Sequence, residues 1–309
     1  MSGFLGIDTS NYTTSCAVFR QGTAIQRKRL LPVPEGQLGL RQSDAVFSHI
    51  KALGPLMDEL MGEYTGGITA VGVSVRPRDV EGSYMPCFLS GLAAAQTAAA
   101  AMHVPLYRFS HQAGHVAAAL YGAGRLDLID ERFLAFHLSG GTTECLLVED
   151  LPGGRITRLS ATNDLNAGQV VDRVGGMLGL RFPAGIELER LALQSDRKYR
   201  VRIAVTNGQI CLSGIENRCK KLLTDGAAPC DVAKYCLDAI ESALTVMAQS
   251  AKDATGLDTM LFAGGVMSNT LIRKSIEERF SGIFAPPVYS SDNAVGIAVL
   301  TAKRHESSV

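Results

Sequence analysis

The chain of 309 residues has 46% hydrophobic, 19% charged and 6% aromatic side chains, a composition typical of a globular protein and not of a fibrous or disordered one. Its length predicts two domains. Thirty basic and thirty acidic residues cancel, which excludes a global positive field that would draw the chain onto nucleic acid or an anionic membrane. Any contact with nucleic acid must therefore be local or be shared with a partner.

Cysteine usage and apolar segments predict a cytoplasmic protein. The seven cysteines are scattered, without a C-x-x-C pair, which favours reduced thiols over a disulfide framework or a zinc finger. The N-terminal residues show no basic segment followed by an apolar one, so no signal peptide is expected. The Ala-rich stretch 91–105 contains Gln96, Thr97 and His103, and it predicts a buried helix followed by a strand instead of a membrane span.

An internal repeat organises the chain. Residues 4–16 (FLGIDTSNYTTSC) and 133–145 (FLAFHLSGGTTEC) align without a gap, and Phe, Leu, Ser, Thr, Thr and Cys coincide. In each copy an apolar run, a small polar turn and two further strand-like runs predict a β-meander. A helical stretch and then an apolar strand follow each meander, with the strands in 68–79 and 258–269.

This alternation of strands and helices predicts an α/β fold of two tandem lobes with parallel strand pairs and a cleft between the lobes. We place the N-terminal lobe at 1–125, completed by a C-terminal helix at 292–309, and the C-terminal lobe at 131–291. The second lobe carries an insertion at about 181–228, with a hairpin turn at Asn207-Gly208 and a helix after Ser213. We expect substrate-specific contacts in this insertion.

Two short polar turns, TSNYTT and SGGTT, occupy equivalent places in the repeat. Backbone N–H groups and hydroxyls of such turns can approach phosphate oxygens. Either turn alone is more typical of an ordinary hairpin. The turn is duplicated, and the sequence G-G-x-x-x-N at 264–269 begins a helix. Nucleotide binding and ordinary hairpin turns are therefore equally favoured interpretations.

At this point the sequence resembles a known family. The resemblance spans nearly the whole chain in matching order and spacing, in the segments LGIDTSNYTTSCAVF, VPLYRFSHQAGHVAAAL, LSGGTTECLLV, AGQVVDRVGGMLGLRFPAG, LSGIENRCKKLL, FAGGVMSNTLIR and SDNAVGIA. These segments are similar to those of the TsaD/Gcp family of tRNA threonylcarbamoyladenosine synthases. The resemblance implies the fold of the actin, sugar-kinase and Hsp70 ATPase superfamily, which consists of two RNase H-like lobes.

The resemblance also implies a divalent metal. The family binds it with two histidines of an H-x-x-x-H helix and an aspartate, which correspond here to His111, His115 and Asp292. Histidines at i and i+4 lie on one helix face, and a carboxylate would complete a three-ligand site with open positions. Such a set accepts iron, zinc or manganese, and we expect iron. The alternative is that the two histidines only cap or pack the helix.

An adenine nucleotide, either ATP, ADP or an acyl adenylate, is the second implied ligand. The family's adenylate-binding positions correspond to Leu138, Ser139, Gly140, Gly141, Thr142, Asp172, Gly185 and Asn269. Asp172 would accept the ribose hydroxyls, unless it is an ordinary solvated helix carboxylate. Asp8 falls where the superfamily often keeps a carboxylate near metal or phosphate, so it is a candidate auxiliary catalytic group.

The chain departs from the family at several positions. The family's H-x-E-G-H reads H-Q-A-G-H with Ala113, its S-G-G-H-T reads S-G-G-T-T with Thr142, its P-G-L turn is replaced by RPRDVEGS at 76–83, and its Tyr-Pro-Gly-Gly becomes FPAG. A zinc peptidase needs a carboxylate base beside the two histidines. Because Ala113 supplies none, we do not expect peptidase activity.

We therefore predict a transferase that passes a threonylcarbamoyl group from its adenylate to the exocyclic amine of the tRNA adenosine 3′ of the anticodon. Expected partners are tRNA and accessory subunits of a threonylcarbamoyl-transfer complex, a dimer is among the expected assemblies, and no membrane is involved.

Two alternatives stay open: a carbamoyl or acyl transferase or ATPase with a non-tRNA acceptor, and a non-catalytic scaffold subunit of the same fold. The basic runs at 27–31, 197–202 and 218–221 favour solvated faces, with a joint tRNA-binding side as the alternative.

Overall fold

The computed structural model describes residues 2–10, 12–32, 40–206, 209–290 and 293–308. It divides into two compact units. The first unit comprises Met1–Glu131, Glu149–Ile156 and Val288–Val309, and the second comprises Arg132–Val148 and Thr157–Pro287. In the described part of the chain, no helix is both long enough and apolar enough to cross a membrane.

The first unit is built on a five-stranded sheet with the spatial order β3-β2-β1-β4-β5. Its strands are β1 (Gly3–Ser10), β2 (Thr13–Arg20), β3 (Thr23–Leu30), β4 (Ile68–Arg76) and β5 (Leu106–Ser110). The first three strands form the antiparallel meander predicted from the repeat, and β4 and β5 add to it in parallel. The unit's helices are α1 (Gln42–Glu63), α2 (Phe88–Met102), α3 (His111–Gly122) and, after the second unit, α9 (Val295–Glu306).

An apolar cluster buries one face of this sheet. On this face Leu5, Val18 and Val71 pack with Leu56 and Leu60 of α1 in a single buried cluster, which excludes water from the apolar surface of the strands. Helix α2 buries only one side, since Ala95 and Ala99 are buried whereas Met102 is 38% exposed. The prediction of a helix and a following strand here is confirmed, but the prediction that the helix is buried is wrong on its outer side.

Helix α9 approaches α3 very closely. A Cβ added to Gly296 of α9 would lie 1.8 Å from the carbonyl oxygen of Gly114 in α3, and one added to Gly114 would lie 2.8 Å from Cδ1 of Ile297. Only glycine at both positions lets the two backbones come this near. The contact fixes α9 against the helix that carries His111 and His115.

The second unit repeats the architecture, with the spatial order β12-β11-β6-β7-β8. Its strands are β6 (Phe133–Leu138), β7 (Thr143–Asp150), β8 (Arg155–Ala161), β11 (Met260–Ala263) and β12 (Ile283–Phe284), with a separate pair β9 (Val205–Thr206) and β10 (Gln209–Ile210). Its helices are α4 (Ala167–Met177), α5 (Gly185–Ala192), α6 (Ser213–Thr224), α7 (Pro229–Thr255) and α8 (Thr270–Phe280). The second predicted meander is therefore confirmed.

Aromatic rings fill the centre of the second sheet. Phe262 stacks on Phe136 with ring centroids 4.7 Å apart and on Phe284 at 5.1 Å, so that three neighbouring strands share one buried stack. The predicted insertion supplies α5, the β9-β10 pair and α6, and the helix predicted after Ser213 is confirmed. The predicted turn residues Asn207-Gly208 lie outside the described residues.

Candidate functional site

A fully buried carboxylate, Asp8, lies near the end of β1. The hydroxyl of Ser10 donates to its Oδ2 at 2.6 Å, and Ser74 of β4 and Nδ1 of His111 donate to its Oδ1, the latter at 3.0 Å. Burial alone would raise the pKa of Asp8, but the charge of His111 and these hydrogen bonds outweigh burial and hold the pKa below its ordinary value. Asp8 is therefore an ionised group that is aimed at the first predicted metal ligand.

The two predicted histidine ligands begin α3. Their ring centroids are 4.2 Å apart with the ring planes at 70°, as expected for positions i and i+4 on one helix face. The His111 side chain is only 18% exposed, and the Phe88 ring flanks it at 6.2 Å. The structure thus brings together three of the predicted residues: Asp8, His111 and His115.

The hydrogen bond between His111 and Asp8 is of the kind that metal-binding histidines make. Histidines that bind a metal usually donate the other ring N–H to a carboxylate, and His111 donates through Nδ1 to Asp8. Among the residues that the structure describes, no group of three or more His, Cys, Asp or Glu side chains is arranged to hold a metal ion. The third predicted ligand, Asp292, lies outside the described residues.

The N-terminus of α3 is held by the RPRDVEGS segment, where the chain departs from the family. Ser110 caps the helix by accepting the N–H of Ala113 at 3.1 Å, and its own hydroxyl donates to Oδ2 of Asp79. Arg76 donates to Oδ1 of Asp79 at 2.7 Å. The Gln112 N–H donates to the Pro77 carbonyl at 3.0 Å. Arg76 is therefore bonded to a carboxylate of its own turn.

We expect Asp79→Ala to loosen the helix that carries the histidines. The change leaves the Ser110 hydroxyl and Arg76 without this acceptor, so it should lower the free energy of unfolding by about 1–2 kcal/mol and weaken metal binding by roughly tenfold. Thermal unfolding and calorimetric metal titration measure the two effects. Asp127→Ala removes an exposed ion-paired carboxylate and should change neither; equal behaviour of the two variants would contradict the role of Asp79.

In the second unit, the predicted SGGT segment forms a tight turn between β6 and β7. The Ser139 N–H donates to the Thr142 carbonyl at 2.7 Å, and the N–H groups of Gly141 and Thr142 both donate to the Ser139 hydroxyl. A Cβ added to Gly140 or Gly141 would meet no atom within 4 Å. The outer side of the turn is therefore open to a ligand that approaches the backbone, as phosphate groups do.

The N-terminus of α4 packs directly under this turn. The Gly168 N–H donates to the Ser139 carbonyl at 3.0 Å, and a Cβ on Gly168 would lie 2.5 Å from the Gly140 nitrogen. One turn further along α4, Oδ1 of Asp172 accepts the N–H of Ala184 at 2.9 Å. Asp172 thereby holds Ala184, which precedes Gly185 at the start of α5. The predicted positions Asp172 and Gly185 are therefore neighbours.

The remaining predicted positions lie at the start of α8 and the end of β6. Asn269 is 8% exposed and caps α8 by accepting the N–H of Ile272 at 3.1 Å. Gly264, with φ of +102°, comes so close to β6 that a Cβ would lie 2.1 Å from the Leu138 carbonyl oxygen. The Leu138 side chain is buried, so only its backbone can serve a ligand.

One carboxylate in this region was missed from the sequence. Glu189 on α5 accepts the N–H of Thr270 at 2.8 Å and also its hydroxyl, so it sits at the N-terminus of α8, where negative charge is stabilised. It ties α5 to α8 across 81 residues of sequence. Because no local pattern marks such a distant contact, the sequence offered no signal for it.

Solved structures with the same fold support the architecture predicted from the repeat. Full-length HypF in its phosphate- and nucleotide-bound form superposes with a TM-score of 0.65 at 13% identity, covering 98% of this chain and 55% of that chain. Component A of the Acidaminococcus fermentans (R)-2-hydroxyglutaryl-CoA dehydratase gives a TM-score of 0.57 at 15% identity, covering 99% of this chain and 100% of that chain. The predicted α/β fold is therefore confirmed.

Sequence relatives identify the family. The family model described as tRNA N6-adenosine threonylcarbamoyltransferase matches residues 38–299. Two proteins named tRNA N6-adenosine threonylcarbamoyltransferase, from two strains of Thermus thermophilus, are each 30% identical to this chain over 98% of its length, and the matches cover 93% and 92% of their own lengths. The chain belongs to the TsaD family, whose members are transferases.

Proposed function

We propose that this chain transfers a threonylcarbamoyl group from its adenylate to the N6 amine of the tRNA adenosine 3′ of the anticodon. The observation that carries the proposal is the buried Asp8 bonded to the first of two adjacent helix histidines, in a chain that matches this transferase family over 38–299. The non-tRNA acceptor and the scaffold role, which were considered from the sequence, are favoured by no specific contact in the described residues.

Residues of the second unit would bind the adenylate. The backbone of the Ser139–Thr142 turn and the first turns of α4 and α8 would face its phosphate, since helix N-termini and glycine turns stabilise anions. Asp172 and Gly185 would lie along the ribose. Support comes from the open outer side of Gly140 and Gly141, where an added Cβ would meet no protein atom.

In the proposed reaction the N6 amine attacks the carbamoyl carbon of the adenylate. The new C–N bond forms as the bond between that carbon and the phosphate oxygen breaks; AMP leaves with the electron pair and the amine releases a proton. A divalent metal, iron by expectation, would be held by His111, His115 and Asp292 and would stabilise negative charge developing on the carbonyl oxygen. Asp8 would keep His111 in the tautomer whose Nδ1 donates.

We expect Gly141→Ala to separate ligand binding from folding. Because the new methyl group meets no protein atom within 4 Å, the free energy of unfolding should change by less than about 0.5 kcal/mol. The same methyl group would obstruct a phosphate that approaches the turn, so affinity for a non-hydrolysable ATP analogue should fall about tenfold. Calorimetric titration and thermal unfolding measure the two quantities.

Gly168→Ala is the matched comparison. Its Cβ would lie 2.5 Å from the Gly140 nitrogen, so this variant should lose stability as well as affinity. If Gly141→Ala instead kept full affinity, the assignment of the turn to the nucleotide would be wrong.

The proposed activity is tested by nucleoside analysis of tRNA. Purified chain is incubated with companion subunits of a threonylcarbamoyl-transfer system, unmodified tRNA, threonine, bicarbonate and ATP. Mass spectrometry of the digested tRNA should then show threonylcarbamoyladenosine at the position 3′ of the anticodon. Absence of this nucleoside, while a T. thermophilus relative produces it with its own companions, would refute the proposal.

A further inference from the structure

The second unit carries a group of exposed cations for which the transferase chemistry has no use. They lie in the insertion and on α6, and we call them the basic surface: Lys198, Arg200, Arg202, Arg218, Lys220 and Lys221. In the part of the chain that the structure describes, none of the six forms an ion pair, whereas other exposed cations such as Arg29, Arg125 and Lys252 pair with carboxylates.

The basic surface is locally charged although the chain is neutral. Residues 196–225 contain seven basic and three acidic residues, which gives a net charge of +4 in a chain of net charge 0. Of the three acids, Glu216 is already bonded to Arg173 at 3.1 Å. Arg197 pairs with Asp231 at 3.1 Å, but the six cations of the basic surface form no ion pair in the described part of the chain, so their field extends into solvent.

Contacts with α7 hold the two basic segments together. The Tyr199 ring meets the Tyr235 ring of α7 at 5.3 Å, and the Tyr199 N–H donates to Asp238 at 2.9 Å. On α6, the Cys219 thiol, next to Arg218 in sequence, donates to the Val232 carbonyl of α7 at 4.0 Å. The segment 198–202 and α6 are therefore both held against α7.

We propose that the basic surface binds the phosphate backbone of the tRNA substrate; the inference rests on the proposed function and adds where the chain contacts its acceptor. Exposed arginines and lysines that lack protein partners are the groups that neutralise phosphates, and they give affinity without reading sequence. Tyr199 adds an aromatic ring beside them. A chain of zero net charge can thereby bind RNA through a local basic surface. An acidic protein partner would be attracted by the same charges and is a distinct outcome of the test.

The test compares two fourfold variants of equal charge in the full-length chain. The first, K198Q/R200Q/R218Q/K221Q, removes four cations of the basic surface. The second, R125Q/R155Q/K252Q/R279Q, removes four exposed cations that form ion pairs elsewhere and lie outside the basic runs. Binding of unmodified tRNA is measured by fluorescence anisotropy between about 50 and 200 mM salt, and thermal unfolding verifies that both variants are folded.

We expect the first variant to bind tRNA at least tenfold more weakly at low salt. The slope of log affinity against log salt should decrease in magnitude by about three, because each lost phosphate contact lowers that slope by roughly 0.7–0.9. The control should keep the wild-type slope. Equal slopes in all three proteins, or equal losses in both variants, would overturn the inference. Unchanged tRNA binding combined with loss of activity in the assembly with companion subunits would overturn it in favour of an acidic protein partner.

These outcomes are separable from the transferase proposal. If tRNA is bound through the basic surface but never modified, the proposed activity fails and the inference stands. If tRNA is modified and the first variant shows an unchanged KM for tRNA, the inference fails and the activity stands.

Discussion

Replacing His111 or His115 with alanine is expected to lower the affinity for the metal at least about 100-fold and to reduce transfer to near background. Each change removes a nitrogen ligand of the metal. Substitution of a residue that only hydrogen-bonds to a ligand typically lowers metal affinity roughly 10–100-fold. Asp8→Asn should lower metal affinity by this smaller factor, because His111 would lose its ionised, fully buried acceptor at 3.0 Å. Elemental analysis of the purified variants and transfer assays measure both effects.

A matched control is available on the surface. His103 is exposed and follows α2 in the left-handed conformation, with φ of +53°, a conformation that asparagine tolerates well. His103→Asn removes one histidine from the chain and should leave metal content and transfer unchanged. Full metal content in His111→Ala and in His115→Ala would show that the two histidines only pack the helix.

The second large effect is expected at the contact between α3 and α9. In Gly296→Ala the new Cβ would lie 1.8 Å from the Gly114 carbonyl oxygen and 2.7 Å from the Ala118 nitrogen, so the helices must move apart. Overpacking of this kind costs about 1–3 kcal/mol of unfolding free energy. Because α9 follows directly on the segment that contains Asp292, metal affinity should fall together with stability.

Chemical denaturation of Gly296→Ala and Gly176→Ala provides the comparison. Gly176 lies in α4, and a Cβ added there meets no atom within 4 Å, so alanine should leave stability unchanged or raise it by up to about 1 kcal/mol. Equal stability of Gly296→Ala and the wild type would contradict the close helix contact.

Much of the fold follows from local sequence. The two meanders are predictable because alternating apolar runs and small polar turns recur in FLGIDTSNYTTSC and FLAFHLSGGTTEC, and strand pairing within a meander depends on neighbours in the chain. The family resemblance supplied the fold and the transferase class, and both are confirmed. The individual roles of the metal and nucleotide residues stay predictions.

The contacts that complete the candidate site were not predictable in this way. Asp79 meets Ser110, and Glu189 meets Thr270, across 31 and 81 residues of sequence. Neither pair forms a motif, since each depends on how distant elements pack. Likewise Ala95 and Leu89 share an apolar stretch of α2, but only the packing of the helix decides that one is buried and the other exposed.

The proposed reaction is tested most directly by supplying the acyl donor itself. Threonylcarbamoyl adenylate with labelled threonine is mixed with the purified chain, its companion subunits and unmodified tRNA, and label in adenylate, free threonine and tRNA is followed over time. We predict that loss of the adenylate matches the gain of labelled threonylcarbamoyladenosine in tRNA, and that His111→Ala removes this gain. Consumption of the adenylate without label in tRNA, in an assembly where a T. thermophilus relative transfers it, would contradict the proposed acceptor.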